Sequence, residues 1–404
     1  MIFRNVSLIL IILSLLTLTL SCDKDKNLQQ PTEVTLIKNQ LEVRIDSTIQ
    51  IPLSNTEDYF SHQTHVVQYC DSTLLLRENN LTNGYFIVNW NKKKVSKRYN
   101  FSLEGPNGIK RFAGASILPV GIDSVIVGTL SSELYLTYKD SVLNKKALNS
   151  GKIPLQIIAS NFNLPRKIGD FVYMCEFPYQ RIGNKFYNHN VLVSYNLSTK
   201  EVKRRNVSFP SKYLDKCYGS YTVDISFSLT KDNKFVFSFP ADANLYIYDP
   251  VADAISDTIS DVRSKYIPDI KPIKKGSVCP HGDENIDVSS YREAAFYTHI
   301  LYDEHKNVYY RLGLLPIHDA IPPGSTTEIS YERFFLKQLV VMILDADFNV
   351  IAEKKLPGKT YNYKDVFITE EGLWLSNNNP QNPNFDEDFL SFSLIRLDDN
   401  LNTP

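Results

Sequence analysis

The chain has 404 residues, of which 43% are apolar and 22% charged, so it has the composition of a core-forming globular protein and not of a disordered one. Lys plus Arg number 44 against 45 Asp plus Glu, which leaves no net positive field to hold a nucleic acid. Aromatics are abundant, with 24 Tyr, 22 Phe and 2 Trp making 48 residues against only 16 Gly, a bias that favours pleated, half-buried surfaces.

The N-terminus reads as an address. Arg4 supplies a positive start, and Val6 to Leu20 is a run of 15 residues that is apolar apart from Ser and Thr. A bilayer-spanning helix needs about 20 residues, whereas this length suits the apolar core of a signal peptide. The run ends in Leu18-Thr19-Leu20-Ser21-Cys22, which resembles a bacterial lipobox with Thr19 standing where Leu is usual. The expectation is a signal peptide over 1–21, lipidation of Cys22, and a tether over 22–40 whose Asp23-Lys24-Asp25-Lys26 is similar to export signals of Bacteroidota surface lipoproteins. The implied location is the outer membrane, on its periplasmic side or at the cell surface, held by lipid without spanning.

Residues 41–404 read as one domain built on a repeat. Leu41 to Leu53 is a strand without a nearby partner. Six short apolar strands then recur, at Asp71–Arg77, Asp123–Thr129, Asp170–Glu176, Asn233–Phe239, Lys306–Leu312 and Gly372–Ser376. Each is followed by a partner strand, beginning at Tyr85, Glu133, Val191, Asn244, Leu339 and Phe389, and the first five partners by a polar turn such as Asn91-Lys92-Lys93. Partner strands such as Leu339–Asp345 are apolar on both alternating faces, so both faces are covered. With a further strand before each pair, the unit has four strands and the spacing of propeller blades. The predicted fold is an all-β, six-bladed β-propeller of four antiparallel strands per blade. The last unit has only three strands, so the N-terminal strand is expected to complete it as its outer strand and close the ring. A pair of β-sandwiches is the alternative.

Glu104-Gly105-Pro106-Asn107-Gly108-Ile109 resembles the E-G-P-N-G element of a Bacteroidota lipoprotein family of unknown function, the domain-of-unknown-function family 4221. The resemblance implies a propeller-like repeat and an envelope location, and no catalytic residues.

Cys70, Cys175, Cys217 and Cys279 allow three disulfide pairings and contain no C-x-x-C. Four long insertions, Pro178–Asn190, Ser260–Arg292, Gly313–Lys337 and Asn377–Asp388, fall at one end of a propeller, which makes that end the candidate binding face. Tyr179, Arg181, Lys185, Tyr187 and His189 offer aromatic platforms and cations for a sugar or carboxylate, and His281 lies in a second insertion. His62 and His65, three apart, are expected to be structural or exposed. The His281 segment and Asp386-Glu387-Asp388 lack the spacing of a metal site, and no nucleophile elbow, zinc, phosphate-loop or dinucleotide motif occurs, so no cofactor is implied. The functional expectation is non-enzymatic binding of a glycan, peptide or envelope protein by the long-loop face. The alternative is a hydrolase or lyase acting on polysaccharide or peptide at the central channel.

Overall fold

The computed structural model describes residues 42–398 apart from 111, 113, 132, 149–154, 158, 179–186, 215, 219–223, 273, 276–293 and 318–334. They form the six-bladed propeller, each blade an antiparallel sheet of four positions. Blade one is Thr64–Tyr69, Ser72–Asn79, Gly84–Asn89 and Lys94–Asn100, and blade two is Ser116–Gly121, Ser124–Gly128, Glu133–Tyr138 and Ser141–Ala147. Blade four is Ser226–Leu229, Phe235–Ser238, Leu245–Asp249 and Ala254–Ile259, and blade five is Phe296–Asp303, Val308–Leu314, Leu339–Leu344 and Val350–Lys355. Blade six contributes Asn362–Thr369, Gly372–Ser376 and Phe389–Asp398, and Glu42–Pro52 pairs with the last of these from Glu42↔Asp398 to Pro52↔Phe389. The N-terminal strand therefore closes the ring as expected.

The strands are apolar on both faces because each blade is sandwiched. Val341 and Ile343 pack with Val366, Leu373 and Leu375 of blade six, while Val340 and Met342 on the opposite face pack with Val236 and Leu245 of blade four. The same division repeats around the ring, and the six clusters of buried apolar residues correspond to the six blade interfaces. The aromatic surplus is used here, for example where Trp90 of blade one meets Trp374 of blade six edge-on at 4.9 Å.

Blade three departs from the pattern. Its inner position is split into Leu155–Ile157 and Arg166–Ile168, both paired with Phe171–Pro178, and Leu192–Asn196 and Val202–Arg205 complete the sheet. Ile157 lies opposite Glu176 and Arg166 opposite Tyr173, so residues 159–165 lie outside the sheet, across only Met174 and Cys175. A two-stranded ribbon, Lys216–Cys217 with Lys274–Lys275, lies outside the blades.

The Glu104–Ile109 element is a tight turn in the crossover from blade one to blade two. Gly105 has φ +88°, Gly108 donates to the Gly105 carbonyl at 3.0 Å, and Ile109 is buried among blades one and two. A Cβ on Gly108 would lie 2.6 Å from the Glu104 carbonyl carbon, which explains the second glycine. Cys70 is exposed and Cys175 buried, and both are free thiols. Among the described residues no helix is long and apolar enough to cross a membrane.

Candidate functional site: a blind axial cavity

Inner strands of neighbouring blades meet around the axis, and the excursion from blade three crosses it. Asn161 donates its backbone N–H to the His62 carbonyl (2.8 Å) and its side-chain amide to the Lys364 carbonyl (2.8 Å), and it accepts from Thr64 N–H (2.7 Å). The Phe162 carbonyl accepts from Ser226 Oγ (2.6 Å) and Phe227 N–H (3.1 Å), and the Phe162 ring lies 4.4 Å from that of His299. One loop from blade three is thus fastened to blades one, four, five and six. It obstructs the channel and satisfies its own buried polar backbone in doing so.

On one side of this obstruction lies a cavity of about 310 Å³. Its wall is made of the ends of inner strands: Thr64, His65, Val66 and Gln68 from blade one, Ser228 and Leu229 from blade four, Leu301 and Tyr302 from blade five, and Val366 to Thr369 from blade six. Leu164 and Arg166, where the excursion rejoins its sheet, complete it. Gln68, Glu304 and His305 are exposed at its mouth. These residues follow the inner strands to their turns into the second strands, so the cavity opens at the end opposite the long insertions. A groove of about 540 Å³ between blades four and five shares Tyr302 with it and is lined by Lys231, Asp232, Tyr309 and Phe348.

The electrostatics of the cavity centre on Arg166. Its guanidinium makes no hydrogen bond or ion pair among the described residues, and its Nε is buried without a partner. The residue is half-buried, and its burial pushes the group down to about 10, which still leaves it a cation at neutral pH. His65 is 5% exposed with Nε2 unpartnered, and burial, reinforced by the Arg166 charge, pushes it down to about 3, so the ring is neutral. Asp365, which donates nothing to the cavity, is consumed by a buried pair with Arg77 (2.9 Å). Among the described wall residues Glu304 is the one carboxylate, and it is exposed.

Of the residues singled out from the sequence, Cys22, Tyr179, Arg181, Lys185 and His281 lie outside the described residues. Tyr187 is buried 5.2 Å from the Phe209 ring and 5.4 Å from that of Tyr213. His189 is half-buried, and burial and the Arg204 charge lower its pKa; Arg204 in turn pairs with Glu176 at 3.0 Å. Neither reaches the axial cavity. Asp386 to Asp388 form an exposed turn, and no group of three or more His, Cys, Asp or Glu among the described residues is placed to share a metal ion. Arg166 carried no signal in the sequence, where it is one cation in a short Arg-Lys-Ile segment. Only the fold reveals that it has no counter-charge among the described residues.

Residues 33–355 match the model of a family described as "Domain of unknown function (DUF4221)", and the chain belongs to that family. A member of the DUF4221 family from Bacteroides vulgatus ATCC 8482 has the same fold, with a TM-score of 0.76 at 23% identity, covering 90% of this chain and 99% of that one. A Bacteroides fragilis protein provisionally described as exported gives a TM-score of 0.47 at 10% identity over 88% and 95% of the two chains. Virginiamycin B lyase from Staphylococcus aureus gives 0.43 at 9% identity over 86% and 99%. No curated protein sequence matches the chain.

Proposed function

We propose that this DUF4221 member is an envelope lipoprotein, anchored through Cys22, whose propeller binds a small organic anion in the axial cavity without chemistry. The observation that carries the reading is the Arg166 guanidinium, held at a cavity wall with no partner among the described residues. A partly desolvated charge without a partner is unfavourable, and a ligand carboxylate or phosphate would supply both the counter-charge and acceptor oxygens for its forked donors. Val66, Leu229, Leu301, Val366 and Ile368 give the rest of the wall an apolar character suited to an organic body.

The hydrolase or lyase alternative needs an acid and a base converging on one substrate. Glu304 at the exposed mouth, a neutral His65 and an Asp365 engaged with Arg77 do not supply that pair. The sequence-based expectation put the ligand among the long loops, whereas the unpartnered guanidinium favours the opposite end. The test is a melting-temperature screen of the wild-type protein and Arg166→Met against small carboxylates and phosphates. A ligand at about 100 times its dissociation constant adds about 2.7 kcal/mol to the folded state. Shifts in the wild type that vanish in Arg166→Met support the site; equal shifts in both proteins, or none in either, overturn it.

A further inference from the structure

The axial cavity adjoins the groove between blades four and five along both sides. On the blade-four side Ser228 and Leu229 line the cavity, and the next residues, Thr230, Lys231 and Asp232, line the groove. On the blade-five side Tyr302 lines both, and Asn307 and Tyr309 follow it in the groove. Two stretches of chain thus carry one concave surface outwards from the axis. The groove, at about 540 Å³ against about 310 Å³, is the larger and the more open part.

Three rings stand in a row along it. Tyr302 on the inner strand, Tyr309 on the second strand and Phe348 in the turn after the third have centroids 4.8 Å and 4.7 Å apart, with planes inclined by 34° and 31°. Tyr309, in the middle, is buried, whereas Tyr302 and Phe348 are half-buried and keep surface for a ligand. Phe348 has φ +65°, a left-handed conformation that a bulky side chain rarely adopts. The turns after the third strands of blades one to four put Lys93, Lys139, Lys200 and Asp253 in this conformation. In blade five the Asp345 carboxylate holds the turn, accepting from the N–H groups of Asp347 (3.0 Å) and Asn349 (2.8 Å). The turn itself does not call for an aromatic residue; the ring serves Tyr309 and the groove.

The polar part of the groove is balanced in charge, with Lys231 and Lys234 against Asp232 and Asp257. Asn307 accepts from the Tyr302 hydroxyl at 2.9 Å, and its amide N–H groups, like the Lys231 ammonium, have no partner among the described residues. Asp257 accepts from the Thr258 N–H (2.7 Å) and Asp232 from the Thr230 hydroxyl (2.5 Å), and both carboxylates have further lone pairs. The groove therefore offers aromatic surface, donors and acceptors without net charge. The cavity beside it offers the Arg166 cation.

We propose that the ligand is an oligosaccharide ending in a uronic acid, its carboxylate on Arg166 and its neutral sugars laid along the groove against Tyr302 and Phe348. This rests on the reading of the cavity as an anion site and specifies the body that carries the anion. A sugar ring has an apolar C–H face for an aromatic ring and a girdle of hydroxyls that both donate and accept. Its hydroxyls keep part of their hydration in an open groove, where water-bridged hydrogen bonds cost little. A peptide with a free carboxylate needs enclosed pockets for apolar side chains, and the more open part of the surface is the aromatic one.

The experiment is calorimetric titration of the full chain, purified in mild detergent, with four probes: aldotetraouronic acid (4-O-methylglucuronic acid on xylotriose), glucuronate, xylotetraose and N-acetyl-trialanine. Aldotetraouronic acid is expected to bind about 10- to 100-fold more tightly than glucuronate and than either of the other two. Phe348→Ala should bring its advantage over glucuronate towards one while glucuronate affinity stays unchanged, and Phe348→Tyr should retain the advantage. If Phe348→Ala fails to fold, Lys231→Ala and Asn307→Ala, both at exposed positions, should reduce the same ratio. Equal affinities for aldotetraouronic acid and glucuronate overturn the groove assignment and leave the anion site standing. N-acetyl-trialanine binding as tightly as aldotetraouronic acid overturns the sugar and also leaves the anion site. Xylotetraose binding as tightly as aldotetraouronic acid, or no binding of either uronate, overturns both.

Discussion

Arg77 of blade one and Asp365 of blade six meet in a two-pronged ion pair, Nη1 to Oδ1 and Nη2 to Oδ2 both at 2.9 Å, with neither side chain exposed. The pair lies across the interface at which the first and last blades join, and Thr64 Oγ1 bonds both partners. Removing one partner leaves a buried charge, so Asp365→Ala is expected to cost about 3–5 kcal/mol. The double variant Arg77→Met with Asp365→Leu should recover most of that loss. Urea midpoints of the three proteins measure it, and a double variant no better than Asp365→Ala would contradict the account.

The opposite outcome is expected at Arg166, where no partner among the described residues is lost. Arg166→Met should leave the stability of the ligand-free protein unchanged or raise it by up to about 1 kcal/mol, because a half-buried, unpartnered charge is replaced by an apolar chain of similar length. Thermal unfolding in ligand-free buffer gives the answer. A large destabilisation would show the guanidinium to be structurally paired.

A pH dependence follows from Glu78, which has no exposed surface. Burial pushes its carboxyl from 4.5 up to about 7, Asp58 adds to the rise, and hydrogen bonds from the Gly114 and His62 N–H groups oppose it. A carboxyl with a raised pKa holds its proton more tightly when folded, so its contribution to stability falls as pH rises from about 4.5 to about 7. His62, His65 and His299 act with the other sign: burial lowers them from 6.5 to about 4, 3 and 3, and their contribution is lost as pH falls below 6.5. Glu78→Gln should therefore leave the acid arm intact and be more stabilising at pH 8 than at pH 4, by up to roughly 3 kcal/mol. Denaturation curves at the two pH values that shift equally would rule out a raised Glu78.

The repeat was readable because each blade imposes the same demand. A strand covered on both faces must be apolar at every position, as Leu339–Leu344 is, and tight turns between strands must be polar; both are local patterns. The closure by Glu42–Pro52 was readable from a count of strands, since a three-stranded last blade would leave an edge. The excursion at 159–165 was not, because Asn161 and Phe162 hold the axis through contacts with residues as distant as Lys364. The cavity was not readable either. Its wall collects two to four residues from each of several blades, and what distinguishes Arg166 is an absent neighbour, which has no sequence signature. Long insertions drew attention to one end, while the unpaired charge lies towards the other.

The closing strand offers a further test. Ile51 is fully buried against Leu390 and Trp374, so Ile51→Asp places a carboxylate in that core and is expected to cost 3 kcal/mol or more. Detachment of Glu42–Pro52 would expose the edge of Phe389–Asp398 and promote pairing between molecules. Size-exclusion chromatography of the variant should show oligomers absent from the wild type, and a monodisperse monomer of unchanged stability would contradict the role given to this strand.

Anchoring is tested separately. Cys22→Ala is expected to abolish incorporation of labelled palmitate and to move the protein from the membrane to the soluble fraction. Labelling that persists would exclude Cys22 as the acceptor.

The ladder from Glu42↔Asp398 to Pro52↔Phe389 also sets an order of events during synthesis. Blades one to five are each made from a contiguous stretch and can form as the chain emerges, whereas the sixth waits for its final strand. Thr48 and Ser393, whose hydroxyls lie 3.3 Å apart, are separated by 345 positions, so this contact is among the last a growing polypeptide can make. A product terminated before Phe389 would leave Glu42–Pro52 and Gly372–Ser376 without the strand that pairs with both of them. Synthesis of Phe389–Asp398 is thereby coupled to the covering of two adhesive strand edges, and a chain stopped before it should be recognised by its tendency to aggregate.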